Sequence, residues 1–97
     1  MRFEWDERKA TANRGKHGIS LALAITAFDD PFAFIAPDAA HSTPREERRW
    51  LIGESDVGVL VVVFTIRHPG NVYGIISARP ANRKERQQYV ESKELPL

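Results

Sequence analysis

The stretch "VLVVVFTIRHPGNVYGIISAR", Val59–Arg79, decides the fold. Val59–Arg67 is apolar at nearly every position, so a strand built from it is covered on both faces and sits centrally in a sheet. "HPGN" then supplies Pro69, Gly70 and Asn71, which favour a turn, before a second strand over Val72–Arg79. The two strands form an antiparallel hairpin. Upstream, "RRWLIG" (Arg48–Gly53) is a third strand. Phe32, Phe34 and Ile35 mark a short extended piece before a polar loop that holds Pro37 and Pro44.

Helices flank these strands. "RFEW" is a short first strand, and Asp6 caps a helix that runs to about Lys16. Glu7 suits the positive end of that helix, and Gly18 suits the left-handed position that stops it. Ser20 caps a second helix, "LALAITAF", with Leu21, Ala24, Ile25 and Phe28 at helical spacing, and Pro31 ends it. After the hairpin, Asn82 with Glu85 three residues on is a capping box for "NRKERQQYVE", a polar helix anchored by Tyr89 and Val90. The expectation is an α+β domain over residues 1–97: an antiparallel sheet packed with two N-terminal helices and a C-terminal helix.

Composition narrows the class. The 97 residues include no cysteine, so disulfides, thiolate metal sites and cysteine nucleophiles are excluded. No apolar run reaches membrane-span length, and the N-terminus lacks the apolar core of a signal peptide, so a cytoplasmic location with no membrane contact is expected. Net charge is +1, yet both ends are basic and the middle acidic. If the ends meet in the fold, they make a small patch for a polyanion.

Candidate chemistry is spread along the chain. On the first helix Lys9, Asn13 and Lys16 share one face, with His17 one residue further round. Taken alone this is a solvated face; in a functional setting it is a cationic row ending in a titratable imidazole. Arg67 closes the central strand, Arg48 and Arg49 open the one before it, and Arg79 ends the last. Guanidinium groups bind phosphate in bidentate fashion, so several converging would make a phosphate site. His17, His41 and His68 have no metal-ligand spacing, and Asp29–Asp30 before Pro31 suits a helix terminus. Trp5 and Trp50 suit the core or its edge, although an exposed Trp5 could stack on a base.

The segments "FEWDERKATANRGKHGIS", "FDDP", "EERRWLIG", "VVVFT" and "IISARPANRKERQQY" together resemble the BrnT-type toxins of bacterial type II toxin–antitoxin systems. The resemblance runs from about Phe3 to Tyr89. It implies a RelE-like fold and an endoribonuclease that cleaves RNA without metal or other cofactor and inhibits growth. It also implies a ribbon-helix-helix antitoxin partner, operator DNA contacted through that antitoxin, and a toxin pair within a heterotetramer. Carried onto this sequence, the catalytic positions are Arg67, Arg79, Glu47, His17 and Arg48. Arg67 and Arg79 would serve the phosphate, and Glu47 or His17 the proton transfer. Lys9, Lys16, Trp5 and Arg83 are the RNA-binding positions. The chain departs from the family pattern at "SLALA", where acids are usual, at Pro80 in place of an arginine, and at Ile66 in place of an acid. Those departures allow a second expectation, a catalytically weak or inactive antitoxin-binding corepressor of its own operon.

Overall fold

A computed structural model describes residues 1–94. Strand β1 (Arg2–Glu4) leads into helix α1 (Glu7–His17), then α2 (Leu21–Ala24), which tightens into a 3-10 turn over Ile25–Asp29. Strand β2 (Phe34–Pro37) and a second 3-10 turn (Ala39–His41) follow. Strands β3 (Arg48–Ser55), β4 (Gly58–Arg67) and β5 (Val72–Pro80) then run up to helix α3 (Arg83–Glu94). The sheet order is β1-β5-β4-β3-β2, with β4 at its centre. This is the expected α+β arrangement of a sheet and three helices. One pair differs: β1 lies parallel to β5, so the sheet is mixed.

The second helix is shorter than its periodicity suggests. Thr26 Oγ1 donates to the Leu23 carbonyl at 2.6 Å and accepts from the Asp56 amide at 3.1 Å. A side chain that bonds the nearby backbone competes with α-helical bonding, and the chain tightens there. Val90, expected as an anchor of α3, is 50% exposed, whereas Tyr89 is buried.

One face of the sheet carries the larger core. Leu51, Leu60, Val62, Phe64, Ile75 and Ala78 meet Ile19, Leu21, Ala24 and Ala27 from the α2 side, with Phe3, Trp5, Phe28 and Tyr73 around them. The other face carries a smaller cluster under α3: Ile52, Val61, Ala81 and Tyr89, with Phe34, Trp50 and Val59 packed against it.

A β-bulge decides which residues of β5 reach which face. Phe64 pairs with Ile75 but Val63 pairs with Ser77, so Ile76 is the extra residue. An unbulged hairpin would turn Arg79 toward the core with Leu60. The bulge shifts the register by one and sets Arg79 opposite Val61, on the far face.

Helix α1 buries a single residue, and it is polar. Asn13 is 5% exposed. Its Nδ2 donates to the Ile19 carbonyl at 2.9 Å, and its Oδ1 accepts from the Ala78 amide at 3.0 Å. Strand β1 pairs with β5 only as far as Gly74, so the edge of β5 beyond it has no strand partner. Asn13 satisfies one of the amides left open there. Asp6 caps α1 at Arg8 N (2.7 Å), and Gly18 ends it at φ 71°.

Candidate active site

On the α3 face, three residues form a row across the sheet: Trp50 on β3, Val63 on β4 and Ser77 on β5. One step to one side stands Arg48, opposite Thr65; one step to the other stands Arg79, opposite Val61. An open cavity of about 340 Å³ covers this row and takes in both arginines. Asp38 and His41, from the loop after β2, wall it at the β3 side, and Ile76 and Ser77 wall it from the bulge.

The Asp38–His41 wall is tied down by backbone. The Asp38 amide donates to the Arg48 carbonyl at 2.9 Å, and the Arg48 amide donates to Ser42 Oγ at 2.9 Å. Ser42 Oγ in turn donates to the Asp38 carbonyl at 2.7 Å. His41 Nδ1 lies 3.0 Å from each carboxylate oxygen of Asp38. Burial works to raise the Asp38 pKa, but hydrogen bonds from Trp50 and His41 outweigh it and hold the carboxyl below its ordinary range. The carboxylate is buried while the imidazole is 66% exposed.

The two arginines differ in what holds them. Arg48 Nε donates to Glu46 Oε1 at 3.1 Å; among the described residues its terminal nitrogens have no side-chain partner. Arg79 is gripped from its tip: Nη1 and Nη2 donate to the two oxygens of Glu85 at 2.7 and 2.8 Å. Glu85 also closes the capping box, accepting from Asn82 N at 2.9 Å while its own amide donates to Asn82 Oδ1 at 2.8 Å. The Arg79 guanidinium, aided by the Asn82 amide and against the effect of burial, pulls the Glu85 carboxyl below its usual value. Glu85 raises Arg79 in return.

Of the positions expected to carry chemistry, the structure brings Arg48 and Arg79 into this cavity and leaves the rest outside it. Arg67 shares the face but stands six residues along β4 from Val61, roughly 20 Å away at the rise of a strand. It lies across Gly74, where a β-carbon would come within 3.0 Å of its guanidinium, and meets Glu4 at 3.4 Å. Glu47 precedes β3 and pairs with Arg49 at 3.6 Å. Trp5 packs against the larger core, and α1 belongs to that side of the sheet. Lys9 and Lys16 are exposed and His17 is half-buried; among the described residues none of them forms an ion pair or side-chain hydrogen bond. Arg83 is exposed at the start of α3. Ile66 packs with the larger core, so the missing acid there does not alter the cavity.

Asp38, His41 and Ser77 were not singled out from sequence as a site. The spacing of Asp38 and His41 puts them one turn apart, but nothing in it says that they face an arginine on β5. That juxtaposition depends on the bulge. Among the described residues no three His, Asp or Glu side chains come together as a metal site, and no helix is long and apolar enough to cross a membrane.

The model of the family described as "Ribonuclease toxin, BrnT, of type II toxin-antitoxin system" matches residues 5–85. The chain belongs to the BrnT family. No curated protein matches it in sequence. The BrnT match runs from Trp5, just after β1, to the first turn of α3 and so includes every residue of the cavity. Membership makes this a toxin of a toxin–antitoxin pair, with an antitoxin as its partner.

Proposed function

We propose that the cavity on the α3 face is the centre of a metal-independent endoribonuclease. The observation that carries this reading is the pair of arginines, Arg48 and Arg79, set on either side of the Trp50–Val63–Ser77 row in one open cavity. Cleavage by an adjacent 2′-hydroxyl needs a bound phosphate, a route for protons and compensation for the charge that builds on phosphorus. Two guanidinium groups meet the first and third needs without a metal. Arg67 and Arg83 lie outside and would meet backbone phosphates further along the RNA; Lys9 and Lys16, on α1 at the other side of the sheet, would do so only for a strand that rounds the sheet edge. The inhibitor of this activity would be a ribbon-helix-helix antitoxin, acting in the cytoplasm, through which the complex contacts operator DNA as a heterotetramer.

A second reading has one observation in its favour. Glu85 occupies both terminal nitrogens of Arg79, which would suit a catalytically weak protein that binds the antitoxin as corepressor. Incubating purified protein with RNA in EDTA separates the two readings. The first expects cleavage that survives chelation and falls by about 10²–10³-fold in Arg48→Ala, as when one positioned charge-stabilising group is lost. Tight antitoxin binding with no RNA cleavage at any metal concentration would establish the second.

A further inference from the structure

We propose that His41 accepts the proton of the attacking hydroxyl, with Asp38 as its positioning residue; this rests on the ribonuclease reading. The role that family resemblance gives to Glu47 or His17 thereby moves to a residue that lines the cavity.

Three observations converge on His41. It lines one cavity with Arg48 and Arg79. Its Nδ1 lies 3.0 Å from both oxygens of a buried carboxylate. A carboxylate at that position keeps the ring proton on Nδ1 and leaves Nε2 as a free acceptor. The loop that carries the ring is fastened to β3 through Asp38, Ser42 and the Arg48 backbone, which fixes where that acceptor stands. An Asp–His pair that merely closed a surface turn would need none of the cavity.

The step balances without a further reagent. The 2′-oxygen forms a bond to phosphorus while its proton passes to His41 Nε2. The phosphorus–O5′ bond breaks, and the departing 5′-oxygen takes a proton from water, which the open cavity admits. The products are a 2′,3′-cyclic phosphate and a 5′-hydroxyl, and the imidazolium returns its proton to solvent. The charged residues that share the cavity with His41 are Asp38 on its own loop, Arg48 from β3 and Arg79 from β5; Arg48 pairs with Glu46, which precedes β3, and Arg79 with Glu85 of α3.

The test is single-turnover cleavage of an RNA oligonucleotide by saturating wild-type protein, His41→Ala and Asp38→Asn across pH. Affinity is measured separately with the same RNA carrying a 2′-deoxy nucleotide at the cut site. We expect His41→Ala to cleave about 10²–10⁴-fold more slowly, to bind the deoxy RNA within about threefold of wild type, and to regain activity with added imidazole. A rise of rate with pH is expected in wild type and should be absent from His41→Ala. Asp38→Asn should slow cleavage with affinity unchanged. Thermal unfolding checks that the variants are folded, with His41→Gln as a second substitution at this exposed site. Wild-type cleavage matched by His41→Ala, with the same pH profile, overturns this inference alone. So does a loss in His41→Ala that is wholly a loss of affinity. Absence of cleavage by the wild type overturns both it and the ribonuclease reading.

Discussion

Helices α1 and α3 both lie against the sheet without a stripe of large aliphatic residues, yet they are held by different chemistry. α1 is fixed by one buried amide, Asn13, which spends both ends of its side chain on backbone groups of Ile19 and Ala78. α3 is fixed by two carboxylates: its own Glu85, which grips Arg79, and Asp30, which accepts from the Tyr89 hydroxyl. Asp30 is further held by the amides of Glu54 (2.7 Å) and Phe32 (2.9 Å). An amide does not titrate and a carboxylate does. The Asn13 bonds that seat α1 on the sheet are therefore independent of pH, and the two carboxylate bonds that seat α3 are not.

The largest effect belongs to the amide. Asn13→Ala leaves two buried backbone groups without partners, each at about 1–3 kcal/mol, so a loss of about 3 kcal/mol is expected. Chemical denaturation measures it. A loss under ~1 kcal/mol would mean that water or a shift of α1 replaces the bonds, and the contrast between the helices would collapse. The same experiment repeated at pH 4 should give the same difference between variant and wild type.

Next comes Glu85→Gln, which keeps the shape and removes the charge. Charge-assisted bonds contribute more than neutral ones, but Arg79 is partly open to solvent, so about 1–2 kcal/mol at neutral pH is the expected loss. Its pH dependence has a definite sign. The Glu85 carboxyl is below 4.5 in the folded protein, chiefly because of Arg79. The stability it contributes is complete above 4.5 and is lost as pH falls through the lower folded value. Wild-type protein should converge on Glu85→Gln as pH falls below 4.5 and on through the lower folded value, whereas Asn13→Ala should run parallel to wild type. Parallel curves for Glu85→Gln would show that the ion pair does not hold α3.

Asp30 strengthens the same contrast. Burial tends to raise its pKa, but the hydrogen bond from Tyr89 and the amides of Glu54 and Phe32 bring it below 3.8. Acid therefore weakens both anchors of α3 and neither bond of Asn13. Amide hydrogen exchange measured from pH 5 to 3, corrected for intrinsic rates, should show α3 losing protection before α1. Equal loss in both helices would mean that the sheet unfolds as one unit with them.

What the sequence made legible follows the same division. Strand β4, the hairpin, the Asp6 and Ser20 caps and the Asn82–Glu85 box are local patterns, and the structure has each of them. Asn13 was visible as a member of a cationic face, but its burial was not, because the amide it serves lies 65 residues away on β5. The bulge at Ile76 leaves no mark in "IISAR", since Ile75, Ile76, Ser77 and Ala78 suit either face of a strand. Without it Arg79 faces the core, and no inspection of spacing brings it to Arg48 and His41. The cavity is thus a product of long-range register, which a one-residue slip would erase.

The smallest effect tests whether the α3 anchors act together. Tyr89→Phe removes only the hydroxyl that donates to Asp30 and leaves the buried ring in place. Asp30 keeps its two backbone amides, so the carboxylate is not orphaned and a loss of about 1 kcal/mol is expected. Burial first, then Asp30, raises the Tyr89 pKa above its ordinary value. The stability tied to the protonated hydroxyl is thus present below about pH 10 and declines above it, a decline that Tyr89→Phe should lack. Combining Tyr89→Phe with Glu85→Gln asks whether α3 has one anchor or two. Glu85 sits in the first turn of the helix and Tyr89 one turn on, so losing one loosens the element that positions the other. The double variant should then lose less than the two single losses together, while either change combined with Asn13→Ala should add fully, because α1 packs on the other face. Full additivity within α3 would make its two carboxylate anchors independent, and α3 would then resemble α1 in being held one bond at a time.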